Sequence, residues 1–130
     1  MAAAALAGCS PGECAPIGTP SGAFIDTEPV VRAANGPLRV RACLHTTCVS
    51  RTLRAGQNAF MIHLTRPELD SSAPVRVRLR VRPVGHDELL IHASRLVRPE
   101  RVTTEPPYCP TTAYQARLRL TRDGELVARR

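Results

Sequence analysis

The run Val75-Arg76-Val77-Arg78-Leu79-Arg80-Val81-Arg82 alternates aliphatic and cationic residues without a break. Successive side chains of a strand point to opposite faces, whereas a helix turns 3.6 residues per revolution and would scatter these arginines around its surface. The segment therefore predicts a strand with four aliphatic side chains on one face and four guanidinium groups on the other. Leu38-Arg39-Val40-Arg41 and Ala116-Arg117-Leu118-Arg119-Leu120 repeat the pattern. The latter continues through Thr121-Arg122 to Asp123-Gly124, a tight-hairpin signal before Leu126-Val127. Further strands are expected over 23–32, ending at the turn Asn35-Gly36-Pro37, over 59–65, and over 89–97 after the turn Gly85-His86-Asp87. Arg66-Pro67-Glu68-Leu69-Asp70-Ser71 can form a single helical turn or a plain loop. Six to eight short strands, frequent Pro and Gly, and no stretch of clean helical period predict an all-β fold. Its expected form is an antiparallel, immunoglobulin-like β-sandwich, with a small up-and-down barrel as the alternative. Trp is absent, so the aromatic core of antibody domains is lacking and the likeness is one of architecture.

The N-terminus carries a different signal. Leu6-Ala7-Gly8-Cys9 closes an Ala-rich apolar stretch and resembles a bacterial lipobox, which implies export, cleavage before Cys9 and acylation of its thiol. An export signal also needs a basic region and an apolar core of about 7 to 15 residues. Met1 to Ala7 supplies neither in full, so we expect the true start to lie upstream; the other reading is an Ala-rich terminus with no targeting role. The expected organisation is a signal-peptide remnant over 1–8, a lipidated Cys with a flexible tether over 9–22, and one domain over 23–130. Pro11, Gly12, Pro16, Gly18, Pro20 and Gly22 exclude a helix in the tether. A membrane-spanning helix takes about 20 apolar residues, and Arg or Pro breaks every later apolar run.

Five cysteines are an odd number, and assigning Cys9 to the lipid leaves Cys14, Cys43, Cys48 and Cys109 as an even set suited to an oxidising compartment. Cys43 and Cys48 flank the short turn Leu44-His45-Thr46-Thr47 and are expected to pair, leaving Cys14 to join the tether to Cys109.

The lipobox-like Cys9, the early Cys14, the Cys43/Cys48 pair, the stretch Pro106-Pro107-Tyr108-Cys109-Pro110 and the closing Tyr114-Gln115-Ala116-Arg117-Leu118 with Asp123-Gly124 together resemble small actinobacterial lipoproteins. That resemblance implies a lipid-anchored location on the extracytoplasmic face of the cell membrane and no activity.

Catalytic signatures are sparse. No Gly-x-Ser-x-Gly nucleophile elbow occurs. His92 and Ser94 fall two apart on a strand, which puts them on one face, and Asp87-Glu88 sits in a turn where adjacent acids face solvent. Cys43, His45 and Cys48 with Cys109 or His63 could supply soft metal ligands, but structural zinc sites show two close ligand pairs and only one is present. The expectation is no enzyme activity, no metal and no cofactor.

All 18 basic residues are arginine, and the net charge is +7. Arg76, Arg78, Arg80 and Arg82 would stand about 6.5 to 7 Å apart along one strand face, a stripe suited to phosphate or carboxylate. Phe24, Phe60, Tyr108 and Tyr114 are too few for a base-stacking platform, so nucleic acid is not an expected partner. An anionic lipid surface, a cell-wall polymer or an envelope protein is. The competing reading of the stripe is a solvated face whose charge prevents edge-to-edge strand pairing.

Overall fold

A computed structural model of the chain describes residues 20–57, 60–67, 69–107 and 109–129. These residues form nine strands and one short helix: β1 (Gly22–Asp26), α1 (Glu28–Ala33), β2 (Leu38–Leu44), β3 (Thr47–Leu53), β4 (Met61–Thr65), β5 (Val75–Pro83), β6 (Ile91–Val97), β7 (Glu100–Thr103), β8 (Thr112–Leu120) and β9 (Leu126–Ala128). One sheet runs β4-β1-β8-β7, with β9 also paired to β8; the second runs β3-β2-β5-β6. The two sheets pack face to face as the β-sandwich that the alternating segments predict, and they do not close into a barrel.

The core lies between them. Ile25, Ile62, Leu64, Leu118 and Leu120 from the first sheet meet Val40, Leu44, Val77, Leu79 and Val81 from the second, and none is more than 2% exposed. The burial of β5 follows its sequence residue by residue, aliphatics inward and arginines outward. The asymmetry is enforced energetically: each buried aliphatic contributes about 1.5 to 3 kcal/mol relative to exposure, while an unpaired charge in the core is strongly disfavoured.

Two features go beyond the sequence reading. The pairing of β1 with β8 is parallel, while the other six pairings are antiparallel. Strands β3 and β7, which carry little apolar alternation, complete the sheets at their margins.

The expected strand over 23–32 is corrected: it stops at Asp26 and α1 follows. Asp26 Oδ1 accepts the Glu28 N–H at 3.0 Å, and the Thr27 carbonyl accepts the N–H groups of Val30 and Val31, both at 3.1 Å. Pro29 sits in the first turn, where its fixed φ and missing N–H cost nothing. Glu28 pairs with Arg32 one turn on at 2.8 Å. Val30 and Val31 still turn inward, so two β-branched residues that suggest a strand are buried by a helix instead. After β4, Leu69 N–H donates to Arg66 O at 3.1 Å and the Leu69 side chain packs against the core.

Strands β2 and β3 form a hairpin with His45 and Thr46 at its tip, His45 taking a φ of 53°. Cys43 stands directly opposite Cys48 and the two form a disulfide, Cα to Cα 4.1 Å. Cys109 is also disulfide-bonded. The expectations for Cys9, for Cys14 and for the tether up to residue 19 fall outside the described residues.

Gly22 opens β1 at a φ of +147°, and a Cβ there would fall on the Leu64 carbonyl oxygen of β4. Gly22→Ala should therefore destabilise the domain by at least about 2 kcal/mol, since both φ and the neighbouring backbone oppose a side chain. Loss of the disulfide in Cys43→Ala/Cys48→Ala, which frees a six-residue loop in the unfolded chain, should cost about 2 kcal/mol. Denaturant unfolding reads both; a Gly22→Ala variant as stable as the parent would contradict the close approach of β1 and β4.

Candidate functional site

The outward face of the second sheet is built by four strands whose register brings like side chains together. Along β5 it carries Arg76, Arg78, Arg80 and Arg82; along β2 it carries Arg39, Arg41 and Cys43. Arg39 stands opposite Arg82, and Arg41 opposite Arg80. The flanking strands contribute Ser50 and Thr52 from β3 and His92, Ser94 and Leu96 from β6. No Asp or Glu occupies a strand position on this face. Direct cross-strand neighbours have Cβ atoms about 4.5 to 5.5 Å apart, where like charges are destabilising.

Sequence reasoning places the β5 stripe but not its partners. Arg39 and Arg41 are visible as part of a strand, yet only the antiparallel register of β2 on β5 shows that they widen the stripe into a patch. That both strands share the same alternation is the one available hint. The register also bears on the edge-protection reading. Strands β2 and β5 are the two interior strands of this sheet, and its edges are β3 and β6. Charge that discourages edge-to-edge pairing belongs on the edges, where Arg51 and Arg95 stand; the arginine rows lie in the middle.

The six arginines are not equivalent. Arg76 donates to Ser94 Oγ at 3.0 Å, and Arg78 donates to the His45 carbonyl at 3.3 Å. Arg39, Arg41, Arg80 and Arg82 have no hydrogen-bond or ion-pair partner among the described residues. These four line a hollow of about 500 Å³ with Ser50 and His86. The turn after β5, which includes Asp87, also lines it, with His86 N–H donating to Pro83 O at 3.2 Å and Gly85 taking a φ of +84°.

The first sheet treats its cations differently. Asp26, whose side chain is 11% exposed, lies 3.3 Å from Arg119 and 3.7 Å from Arg129. A second hollow of about 330 Å³ on that sheet is lined by Phe24, Met61, His63, Gln115, Arg117 and Arg129. Its polar groups are engaged: Arg117 donates to Gln115 Oε1, Gln115 Nε2 donates to the Pro20 carbonyl at 2.7 Å, and the Phe24 and His63 rings meet edge to face at 5.2 Å.

The other residues singled out in the sequence fall apart in space or are engaged. His92 and Ser94 share the outward face of β6, but the Ser94 hydroxyl accepts from Arg76. Asp87 and Glu88 are exposed in the connection between β5 and β6. Cys43 and Cys48 are joined to each other, His45 is at the hairpin tip, and His63 lies on the opposite sheet. Among the described residues no three side chains of metal-ligating type converge.

Replacing one member of an opposed arginine pair with an acid should relieve the repulsion. Arg41→Glu is expected to stabilise the domain by about 0.5 kcal/mol at low salt through a new pair with Arg80, a gain that shrinks as salt screens it. Thermal unfolding at two ionic strengths reads this, and a loss of stability at low salt would contradict the cross-strand opposition.

Comparison of the chain with protein-family models, with curated proteins and with solved structures finds no match, so the reading of this site rests on its own geometry.

Proposed function

We propose that the chain is a non-catalytic module, lipid-anchored through Cys9 at the extracytoplasmic face of a membrane, that presents its arginine face to an anionic lipid surface or cell-wall polymer. The observation that carries this reading is the patch of six guanidinium groups on two interior strands, with no Asp or Glu at any outward strand position of that sheet. Near an anionic lipid surface each basic side chain contributes about 1 kcal/mol, so a patch of this size supports binding that salt can reverse. Guanidinium suits the role because it keeps its charge at any physiological pH and grips phosphate or carboxylate oxygens with paired N–H donors. The sheet beneath, tied to a buried aliphatic core, fixes the backbone positions of the patch, so binding has to order side chains but no backbone.

Two measurements test the two halves of the proposal. The protein should sediment with anionic vesicles and not with neutral ones. Binding should fall as the Debye length shrinks from about 10 Å at 0.1 M salt to about 3 Å at 1 M. Replacing Arg76, Arg78, Arg80 and Arg82 together with Gln should abolish the salt-sensitive fraction, and unchanged binding by that variant would sink the surface-binding role. For the anchor, intact mass of the protein recovered from membranes should show a diacylglyceryl group on an N-terminal Cys9; a chain with an unmodified Cys9 would remove the tether.

A further inference from the structure

We propose that Arg39, Arg41, Arg80 and Arg82 form a discrete site for a single phosphate group, distinct in behaviour from the rest of the arginine face. The inference deepens the anionic-surface reading and rests on it. Three observations carry it. The four residues are the two opposed pairs of the β2/β5 ladder, so their Cβ atoms mark a rectangle about 5 Å across the strands and about 7 Å along them. Side chains as long as arginine can converge over the centre of such a rectangle. These are also the arginines of the face with no partner among the described residues, whereas Arg76 and Arg78 already donate to Ser94 and to the His45 carbonyl. Finally, the four line one hollow together with Ser50 and with the turn residues Gly85 and His86, so they face a shared concavity.

The chemistry favours phosphate over carboxylate. A carboxylate offers two oxygens and one negative charge, which two guanidinium forks satisfy. A phosphate monoester offers three terminal oxygens and a charge of about −1.5 to −2 near neutral pH. Four guanidinium groups held close together by the ladder match that greater charge and larger number of acceptors, and the bound anion would offset the repulsion between the opposed pairs. Asp87 also lines the hollow, but it forms no ion pair with the four arginines.

The test compares two paired substitutions in the otherwise intact chain, with titration calorimetry against inorganic phosphate, glycerol phosphate and acetate. Arg41→Gln/Arg80→Gln should weaken phosphate binding about tenfold or more, because two charge-assisted contacts are lost. Arg76→Gln/Arg78→Gln should change it less than about twofold, despite removing the same charge from the same face. Should the first variant fail to fold, Arg39→Gln/Arg82→Gln removes the other opposed pair and answers the same question. Vesicles of phosphatidic acid and of phosphatidylserine at equal surface charge form a second arm. A preference for phosphatidic acid assigns the phosphate to a lipid headgroup; binding of soluble glycerol phosphate without that preference assigns it to a free phosphate. Either outcome supports the site. Equal losses from the two paired variants, or no preference of phosphate over acetate in either arm, overturns it. If the site fails in this way while salt-sensitive vesicle binding persists, the broader surface-binding reading survives; a parent protein that binds neither vesicles nor soluble phosphate removes both.

Discussion

The register between β2 and β5 is the constraint on which the rest of the molecule depends. Both strands alternate aliphatic and charged residues, so a slip of one position would turn the aliphatics to water and drive arginines into the space between the sheets. With Val40, Val77, Leu79 and Val81 essentially inaccessible to solvent, that exchange would cost far more than the few kcal/mol by which a domain of this size is stable. The register in turn sets the neighbours. It brings β3 onto β2 so that Cys43 meets Cys48, and it brings β6 onto β5 so that Ala93 and Val97 complete the inward face. The disulfide then closes a hairpin whose alignment burial has already chosen.

The same constraint creates the tension that makes the outer face of interest. If aliphatics must face inward on two neighbouring strands, whatever alternates with them must share the outer face, and here it is arginine on both. A chain under selection for stability alone could set Glu against Arg across this ladder, and a pairing of that kind contributes up to about 1 kcal/mol. This chain does use such compensation elsewhere, since Asp26 serves Arg119, Arg129 and the Glu28 N–H together. Ion pairs thus serve one set of arginines and, among the described residues, not the other. The four guanidinium groups with no partner among the described residues therefore stand as like charges across the ladder at some expense in stability, which is the charge the proposed phosphate site would use.

How much of this could be read from the sequence depended on the range of the interaction concerned. Strand β5 and the hairpin at Asp123-Gly124 were legible because alternation and turn chemistry are local. The pairing of Cys43 with Cys48 was legible because five residues separate them around a turn. The helix α1 was misread, since Val30-Val31 suggests a strand, although Glu28, Pro29 and the preceding Asp26 and Thr27 are helix-start signals. Strand β3, with its run of Ser50, Arg51 and Thr52, lies at an edge where alternation is not enforced, and the four-residue β7 is too short to show a period. The parallel contact of β1 with β8 joins residues more than ninety positions apart, as in Gly22 with Gln115, and leaves no local trace. The candidate site divides along the same line. Its β5 half is a pattern within one segment, while the opposition of Arg39 to Arg82 is a fact about pairing.

Pairing also separates the two explanations of the arginine stripe. If charge were present only to keep the sheet soluble, its position within the sheet would be immaterial, and the edges would be the most useful place for it. The edge strands of the second sheet carry Ser50, Thr52, His92 and Ser94 outward, all shorter than arginine. The cations thus stand in two adjacent rows, bordered on both sides by shorter side chains, polar except for Leu96 beside Arg76 and Cys48 beside Cys43. Such a profile lets several guanidinium groups approach one anion from different directions while the small neighbours leave room for it. A uniformly charged face offers no such convergence, because each group is then surrounded by others reaching equally far into water. The shape of the patch, set by which strands carry arginine and which carry serine and threonine, is the physical basis on which the proposed site would select phosphate.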